Sequence, residues 1–250
     1  MSDRFALRAR GLRVRYGAVT ALDDVSVEIP RGCSVALLGP NGSGKSTLFA
    51  AAVGLAEPSA GSIELGSGRV AFVPQRLDLD PAFPISVRDV VRIGRYGDLG
   101  WFGRFGDRDR ELVARGIDEL GLGKLASRRF GALSGGERQR ALLAQAVAQD
   151  ASIMLLDEPF TGVDAPTGEA IGALMRRWRG EGHTAVVATH DLQSAARDYD
   201  LVLCLNRRVV AFGPPSETCT EDVLTETFAG RTVRVGETLI DVAHHHEDAG

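Results

Sequence analysis

The chain has 250 residues, 44% of them hydrophobic, 25% charged and 6% aromatic, with a formal net charge of -4. These are the proportions of a soluble globular protein, and they exclude disordered and fibrous classes. Acidic residues number 33 against 29 basic ones, and Lys45 and Lys124 are the only lysines, so the arginine excess reads as coding bias and not as a nucleic-acid surface.

The start, MSDRFALRARGLRVRYG, alternates arginine with apolar residues and has neither the apolar core nor the small-residue cleavage site of a secretory signal. No apolar run approaches the roughly 20 residues that a membrane helix needs. A cytoplasmic chain is expected, and any membrane role would pass through a partner. Cys33, Cys204 and Cys219 are odd in number and lack C-x-x-C spacing, which reads as buried thiols and not as metal ligands.

Residues 5–29 alternate as strands do. A short apolar run, Ser34–Leu38, then leads through a Gly-rich turn into a helix predicted from Lys45 to about Leu55. Two further strand-like pieces follow, Ser62–Leu65 and Arg69–Val73, closed by Pro74 and Gln75. From Pro81 the period changes to that of helices. Ser86 and Asp89 read as a capping box before Val87, Val90 and Val91, and Arg108–Leu120 repeats apolar residues at Val113, Ile117 and Leu120. Between these helices Tyr96, Trp101, Phe102 and Phe105 lie among glycines, which predicts a loop bearing large rings, as a contact surface or as local packing. Past Ser134 strands and helices alternate again: Ser152–Leu156, Ala165–Arg179, Thr184–Thr189 and Leu201–Leu205. Such alternation implies a parallel sheet with crossover helices.

Three motifs sit at strand-to-helix transitions. Gly39-Pro40-Asn41-Gly42-Ser43-Gly44-Lys45-Ser46-Thr47 fits G-x-x-x-x-G-K-[ST], a loop whose backbone N–H groups curl around phosphates while Lys45 supplies a point charge and Ser46 a hydroxyl for Mg²⁺. The apolar run Ser152–Leu156 ends in adjacent carboxylates: Asp157 suits the Mg²⁺ shell, and Glu158, one strand residue further and facing the other way, is placed to accept a proton from an attacking water. Leu133-Ser134-Gly135-Gly136-Glu137 opens a helix with Ser134 as N-cap and Glu137 as its capping-box partner, a second anion-seeking helix start. Two such starts with one lysine-bearing loop make sense if the second closes over a nucleotide held by another copy.

With LSGGERQR, GPNGSGKST and LLDEP in place, the chain resembles the ATP-binding subunit of an ABC transporter from about Phe5 to Gly213. The resemblance implies an α/β fold: a P-loop NTPase core with a mostly parallel sheet and crossover helices, an antiparallel β subdomain and an inserted α-helical subdomain. It implies one ABC ATPase domain over 5–240, with core and β subdomain at 5–75 and 151–215, the helical subdomain at 76–150, a C-terminal extension at 216–240 and a polar tail at 241–250. It further implies ATP and Mg²⁺ as cofactors and a homodimer with two ATP molecules sandwiched between the copies.

By the same resemblance, Tyr16 stacks on adenine, and Gly39 to Thr47 hold the phosphates. Ser46, Gln75 and Asp157 serve Mg²⁺, with Gln75 also the hinge to the helical part. Glu158 and His190 join Gln75 in the catalytic set. Ser134, Gly135, Gly136, Glu137 and Asp164 meet the ATP of the opposite protomer, although Phe160-Thr161-Gly162-Val163-Asp164 departs from the family's commoner S-A-L-D form. An integral-membrane permease is the implied partner, with a solute-binding protein indirectly, no nucleic acid, and a place on the inner face of the membrane.

The stretch 70–104, VAFVPQRLDLDPAFPISVRDVVRIGRYGDLGWFGR, with its DxxFPxxVxDVVxxGRYG pattern and the aromatic-Gly loop that follows, and DEPFTGVD are similar to manganese and zinc importers and to some iron importers. A siderophore or haem importer is the alternative. A soluble ABC-type ATPase acting on ribosomes or DNA is the alternative from another class, against which stand the single cassette and the acidic balance. His244, His245 and His246, followed by Glu247 and Asp248, read either as a transition-metal ligand cluster or as a plain polar terminus.

Overall fold

The computed structural model describes residues 5–75, 80, 82–99, 103–228, 233–235 and 238–240. In chain order the strands and helices are β1 (Phe5–Tyr16), β2 (Val19–Pro30), β3 (Ser34–Leu38), α1 (Lys45–Ala52), β4 (Ala60–Leu65), β5 (Val70–Val73), α2 (Val87–Leu99), α3 (Asp107–Glu119), α4 (Gly135–Ala148), β6 (Ile153–Asp157), α5 (Ala165–Gly180), β7 (Thr184–Thr189), α6 (Leu192–Asp198), β8 (Leu201–Asn206), β9 (Arg208–Gly213), α7 (Pro215–Thr218), α8 (Glu221–Phe228), β10 (Val233–Val235) and β11 (Thr238–Ile240). They fall into two compact units, residues 1–66 with 186–250 and residues 67–185.

In the first unit β1 pairs antiparallel with β2 on one side and β4 on the other. The buried set on β1 switches from Leu7 and Ala9 to Leu12 and Val14, and on β2 from Leu22 to Val25, Val27 and Ile29. Each switch is one step out of period two. The residues at the switch, Gly11 (φ 56°) and Asp24 (φ 58°), both take left-handed backbone, and the pairing register shifts between Ala9 and Leu12. A bulge that adds one residue flips the faces beyond it. Past the bulge Arg13 and Arg15 therefore stand on the exposed side.

β3 is buried along its whole length and pairs in parallel with β8, Val35 opposite Leu201 and Leu38 opposite Cys204. Strands covered on both faces read as continuous apolar runs. Ala36, Leu38, Val202 and Cys204 pack with Leu192 and Ala195 of α6 and with Leu224 and Phe228 of α8. The strand start is tied by Asp200, whose carboxylate accepts from the Ser34 N–H at 2.9 Å and the Ser34 hydroxyl at 2.8 Å.

The helix after the Gly-rich turn stops at Ala52, three residues before the expected end. Gly54 (φ 75°) donates to Ala51 O at 3.2 Å and Leu55 to Ala50 O at 2.8 Å, which closes the helix with a Schellman motif.

In the second unit β5 runs parallel to β6, Val70 opposite Ile153 and Val73 opposite Leu156. α2 and α3 both pack on α4. The Arg95 side chain, 4% exposed, links all three: its Nε donates to Asp109 on α3 at 2.9 Å, and one Nη to Ala148 O on α4 at 3.0 Å.

The segment around Tyr96 is a correction. It is the last part of α2, not a loop, and Tyr96 lies half exposed on that helix. Gly94, read from sequence as a loop signal, is instead a close-approach residue, since a Cβ there would stand 2.4 Å from the backbone oxygen of Gln145 on α4. Phe105 carries the Arg92 guanidinium over its ring at 4.6 Å. Trp101, Phe102 and the His244–His246 tail lie outside the described residues. Among the described residues no helix is long and apolar enough to cross a membrane.

Candidate functional site

The expected site residues divide between the two units. In the first, the loop Gly39–Thr47 joins β3 to α1. Gly44 (φ 100°) is the N-cap of α1, and a Cβ there would stand 2.4 Å from Leu22 Cδ2 and 2.7 Å from Ala21 O, so glycine alone fits. α1 has no acidic residue in its first turn and no side-chain cap, so its leading N–H groups keep their capacity for an anion.

Lys45 is 6% exposed, and its ammonium donates to Gly39 O at 2.7 Å and Pro40 O at 3.1 Å, drawing the loop together from inside. Ser43 is 1% exposed, and its hydroxyl has no hydrogen-bond partner among the described residues. A buried hydroxyl without a partner is costly unless a ligand completes it. Ser46 is exposed at the start of α1, Thr47 half-buried behind it, and Asn41 and Gly42 exposed at the loop tip.

Tyr16 ends β1 and is 55% exposed, an aromatic face open to stacking. His190 is exposed between the end of β7 and Asp191. Asp191, unnoticed in the sequence, is the N-cap of α6, accepting from Gln193 N–H at 3.0 Å and Ser194 N–H at 3.1 Å. The D-x-x-S start was a readable signal.

In the second unit β6 ends at Asp157, 5% exposed. Glu158 is not a further strand residue, as the alternation argument assumed. It has φ 49°, so the chain turns left-handed directly after the strand, and that turn, not strand parity, aims its carboxylate. The same oxygen, Oε2, accepts from Gln75 Nε2 at 2.9 Å and from the Thr161 hydroxyl at 3.1 Å. Gln75, just after β5, and Glu158, just after β6, thus meet at the ends of paired parallel strands, the edge at which open α/β sheets bind ligands. Thr161 was missed: it is an ordinary loop residue in sequence.

The start of α4 is as expected. The Ser134 N–H donates to Glu137 Oε2 at 2.8 Å, and the Glu137 N–H to Ser134 Oγ at 3.3 Å. The Ser134 N–H holds the Glu137 carboxyl below its ordinary value, so it is ionised there. Asp164 caps α5, accepting from the Thr167 N–H at 3.1 Å. Gly136 presses against this cap, since a Cβ on it would stand 2.8 Å from Thr167 Oγ1 and 3.0 Å from Asp164 Oδ1. Two helix starts, those of α4 and α5, are therefore packed side by side, which brings Ser134 to Glu137 and Asp164 together.

Residues 22–161 match the family described as ABC transporter. The chain belongs to the ABC transporter family. It is 42% identical over 234 residues to the zinc transport system ATP-binding protein TroB of Treponema pallidum, covering 91% of this chain and 88% of that one. It is 41% identical over 238 residues to the manganese transport system ATP-binding protein MntA of Synechocystis sp., covering 91% and 92%. Among solved structures, an inward-facing conformation of a metal-chelate type ABC transporter superposes with a TM-score of 0.80 at 29% identity, covering 94% of this chain and 95% of that one. The chain is thus an ATP-binding cassette and an ATPase of the ABC family, with the P-loop NTPase fold that the motifs imply.

Proposed function

We propose that the chain powers import of a divalent metal ion, manganese or zinc and alternatively iron, through a membrane permease on whose inner face it docks. The observation that carries the cargo is the identity of above 40% to relatives named for zinc and manganese transport, along nearly the whole of each chain. The stretch 70–104, in the part of the chain that meets the permease in this family, agrees with it. A metal chelate as cargo is the second reading, favoured by the likeness to the metal-chelate type transporter.

In this reading the Gly39–Thr47 loop takes the ATP phosphates. Lys45 is the fixed positive charge, and the buried Ser43 hydroxyl supports the assignment because it needs a polar partner from within the loop. Tyr16 stacks on the adenine. Ser46, Asp157 and the amide oxygen of Gln75 are each hard oxygen donors, the chemistry that Mg²⁺ takes. Bound Mg²⁺ would neutralise charge on the phosphates.

Glu158 takes the proton of the attacking water. Gln75 and Thr161 fix its Oε2 in place, which holds the carboxylate in one orientation for that transfer. His190 positions the water against the terminal phosphate. Ser134, Gly135, Gly136, Glu137 and Asp164 face the nucleotide held by a second copy. The uncovered first-turn N–H groups of α4 offer an anion site that closes only in the dimer. Closing and reopening of that dimer, relayed through Gln75, moves the permease.

The test is the content of manganese, zinc and iron in metal-limited cells that carry either this chain or its Glu158→Gln form. Depletion of one metal in the variant cells is expected and names the cargo. Equal metal contents, with the permease still associated, would overturn metal import and leave the ATPase standing.

A further inference from the structure

A cavity of about 360 Å³ opens in the first unit, lined by Arg13, Arg15, Thr20, Asp23, Asn206, Arg207 and Arg208. Four of these are arginines and one is an acid. Asp23 is already doubly engaged: Arg13 Nε donates to its Oδ1 at 2.8 Å and Arg208 Nε to its Oδ2 at 3.0 Å. Arg208 first, then Arg13, hold its carboxyl below the ordinary value, so it stays ionised. Among the described residues Arg15 and Arg207 pair with no carboxylate. Asp24, the next acid along β2, lies toward Gly11, 3.5 Å from where a Cβ on that glycine would be, and does not line the cavity. The cavity thus holds three positive charges beyond what its acid neutralises.

The arrangement is also held in place. The bulge at Gly11 and Asp24 sets the parity that puts Arg13 and Arg15 on one exposed face. Arg207 alone turns β8 into β9, at φ 58°, a conformation that a long side chain rarely takes. Its backbone is clamped on both sides: its N–H donates to Ser43 O at 2.8 Å and its C=O accepts from the Asp23 N–H at 2.8 Å. Guanidinium forks set on a fixed frame, with the Thr20 hydroxyl and the Asn206 amide as neutral donors, match the oxygens of a phosphate group.

We propose that this cavity is a second anion site, separate from the Gly39–Thr47 loop, and that it takes a small polyphosphate. The site is tested by calorimetric titration of the full chain with inorganic pyrophosphate. The phosphate loop is disabled by Lys45→Met, which keeps the apolar stem and removes the charge. The cavity is disabled by Arg15→Gln with Arg207→Asn, because asparagine tolerates left-handed backbone and so preserves the clamp on Ser43. Binding is expected to persist in Lys45→Met and to weaken about tenfold or more for each arginine removed from it. Should Lys45→Met fail to fold, the arginine pair in the wild-type chain is expected to remove one of two pyrophosphate equivalents.

Titration of Lys45→Met with ATP distinguishes the source. Heat matching that of pyrophosphate assigns the site to the phosphate tail of a nucleotide, and heat with pyrophosphate alone assigns it to the free anion; either outcome supports the site. Pyrophosphate binding that vanishes in Lys45→Met, or that survives there unchanged after loss of both arginines, would overturn it.

Discussion

Glu158 combines two features that sequence shows separately and structure joins. It follows a buried strand directly, and it holds φ 49°, where a non-glycine residue costs on the order of 1 kcal/mol. Such strain persists where surroundings over-determine it, and here Gln75 and Thr161 pin one carboxylate oxygen. Glu158→Gln keeps an amide oxygen to accept from both, so the fold and ATP binding should be retained. Loss of the proton acceptor is expected to cut ATP turnover by ~10²-fold or more and to trap the closed dimer. Steady-state hydrolysis and gel filtration with ATP check this, and normal turnover would remove Glu158 from the role. The pair of residues was legible as candidates, but their contact was not, because 83 positions separate them in sequence.

At the scale of elements, the helices around α4 show where pattern reading reaches and where it stops. The Val87, Val90 and Val91 face and the Val113, Ile117 and Leu120 face are both buried, as period alone predicts. The length of α2 was misread because its glycines resemble loop signals. Gly94 and Gly97 are alike in sequence and opposite in structure: a Cβ at 94 meets the Gln145 backbone oxygen at 2.4 Å, and one at 97 meets nothing within 4 Å. Gly94→Ala is therefore expected to destabilise the chain by about 1–3 kcal/mol through overpacking. Gly97→Ala should stabilise it by about 0.5–1 kcal/mol through helix propensity. Urea unfolding of the two variants beside the wild type measures both, and equal effects would mean that α2 does not press on α4 at Gly94.

For the whole molecule the charge pattern sets the response to acid. Asp23, Asp109, Glu137 and Asp150 all have carboxyls below their ordinary values: Asp23 through Arg208 and Arg13, Asp109 through the Gly106 N–H and Arg95, Glu137 through the Ser134 N–H, and Asp150 through Arg108. The unfolded chain then binds more protons than the folded one, so stability rises with pH across that range. It is complete above the ordinary carboxylate values and is lost as pH falls through the lowered ones. The melting temperature should be flat near neutrality and fall below about pH 4. Asp109→Asn should lie below the wild type at neutral pH and converge on it in acid, and a gap that stays constant down to pH 2 would show that the Asp109 charge contributes nothing.

The sequence by itself determined the fold class, the Gly-rich turn from β3 into α1, the two helix starts at Ser134 and Lys45, and the buried strands, because each depends on residues within a few positions of one another. Only the tertiary structure decided the turn that aims Glu158 at Gln75, the close approach at Gly94, the pressing of Gly136 on the Asp164 cap, and the gathering of Arg13, Arg15, Arg207 and Arg208 around one cavity. These join segments far apart along the chain, and their geometry is set by strand pairing, bulge parity and helix packing, which local pattern does not encode.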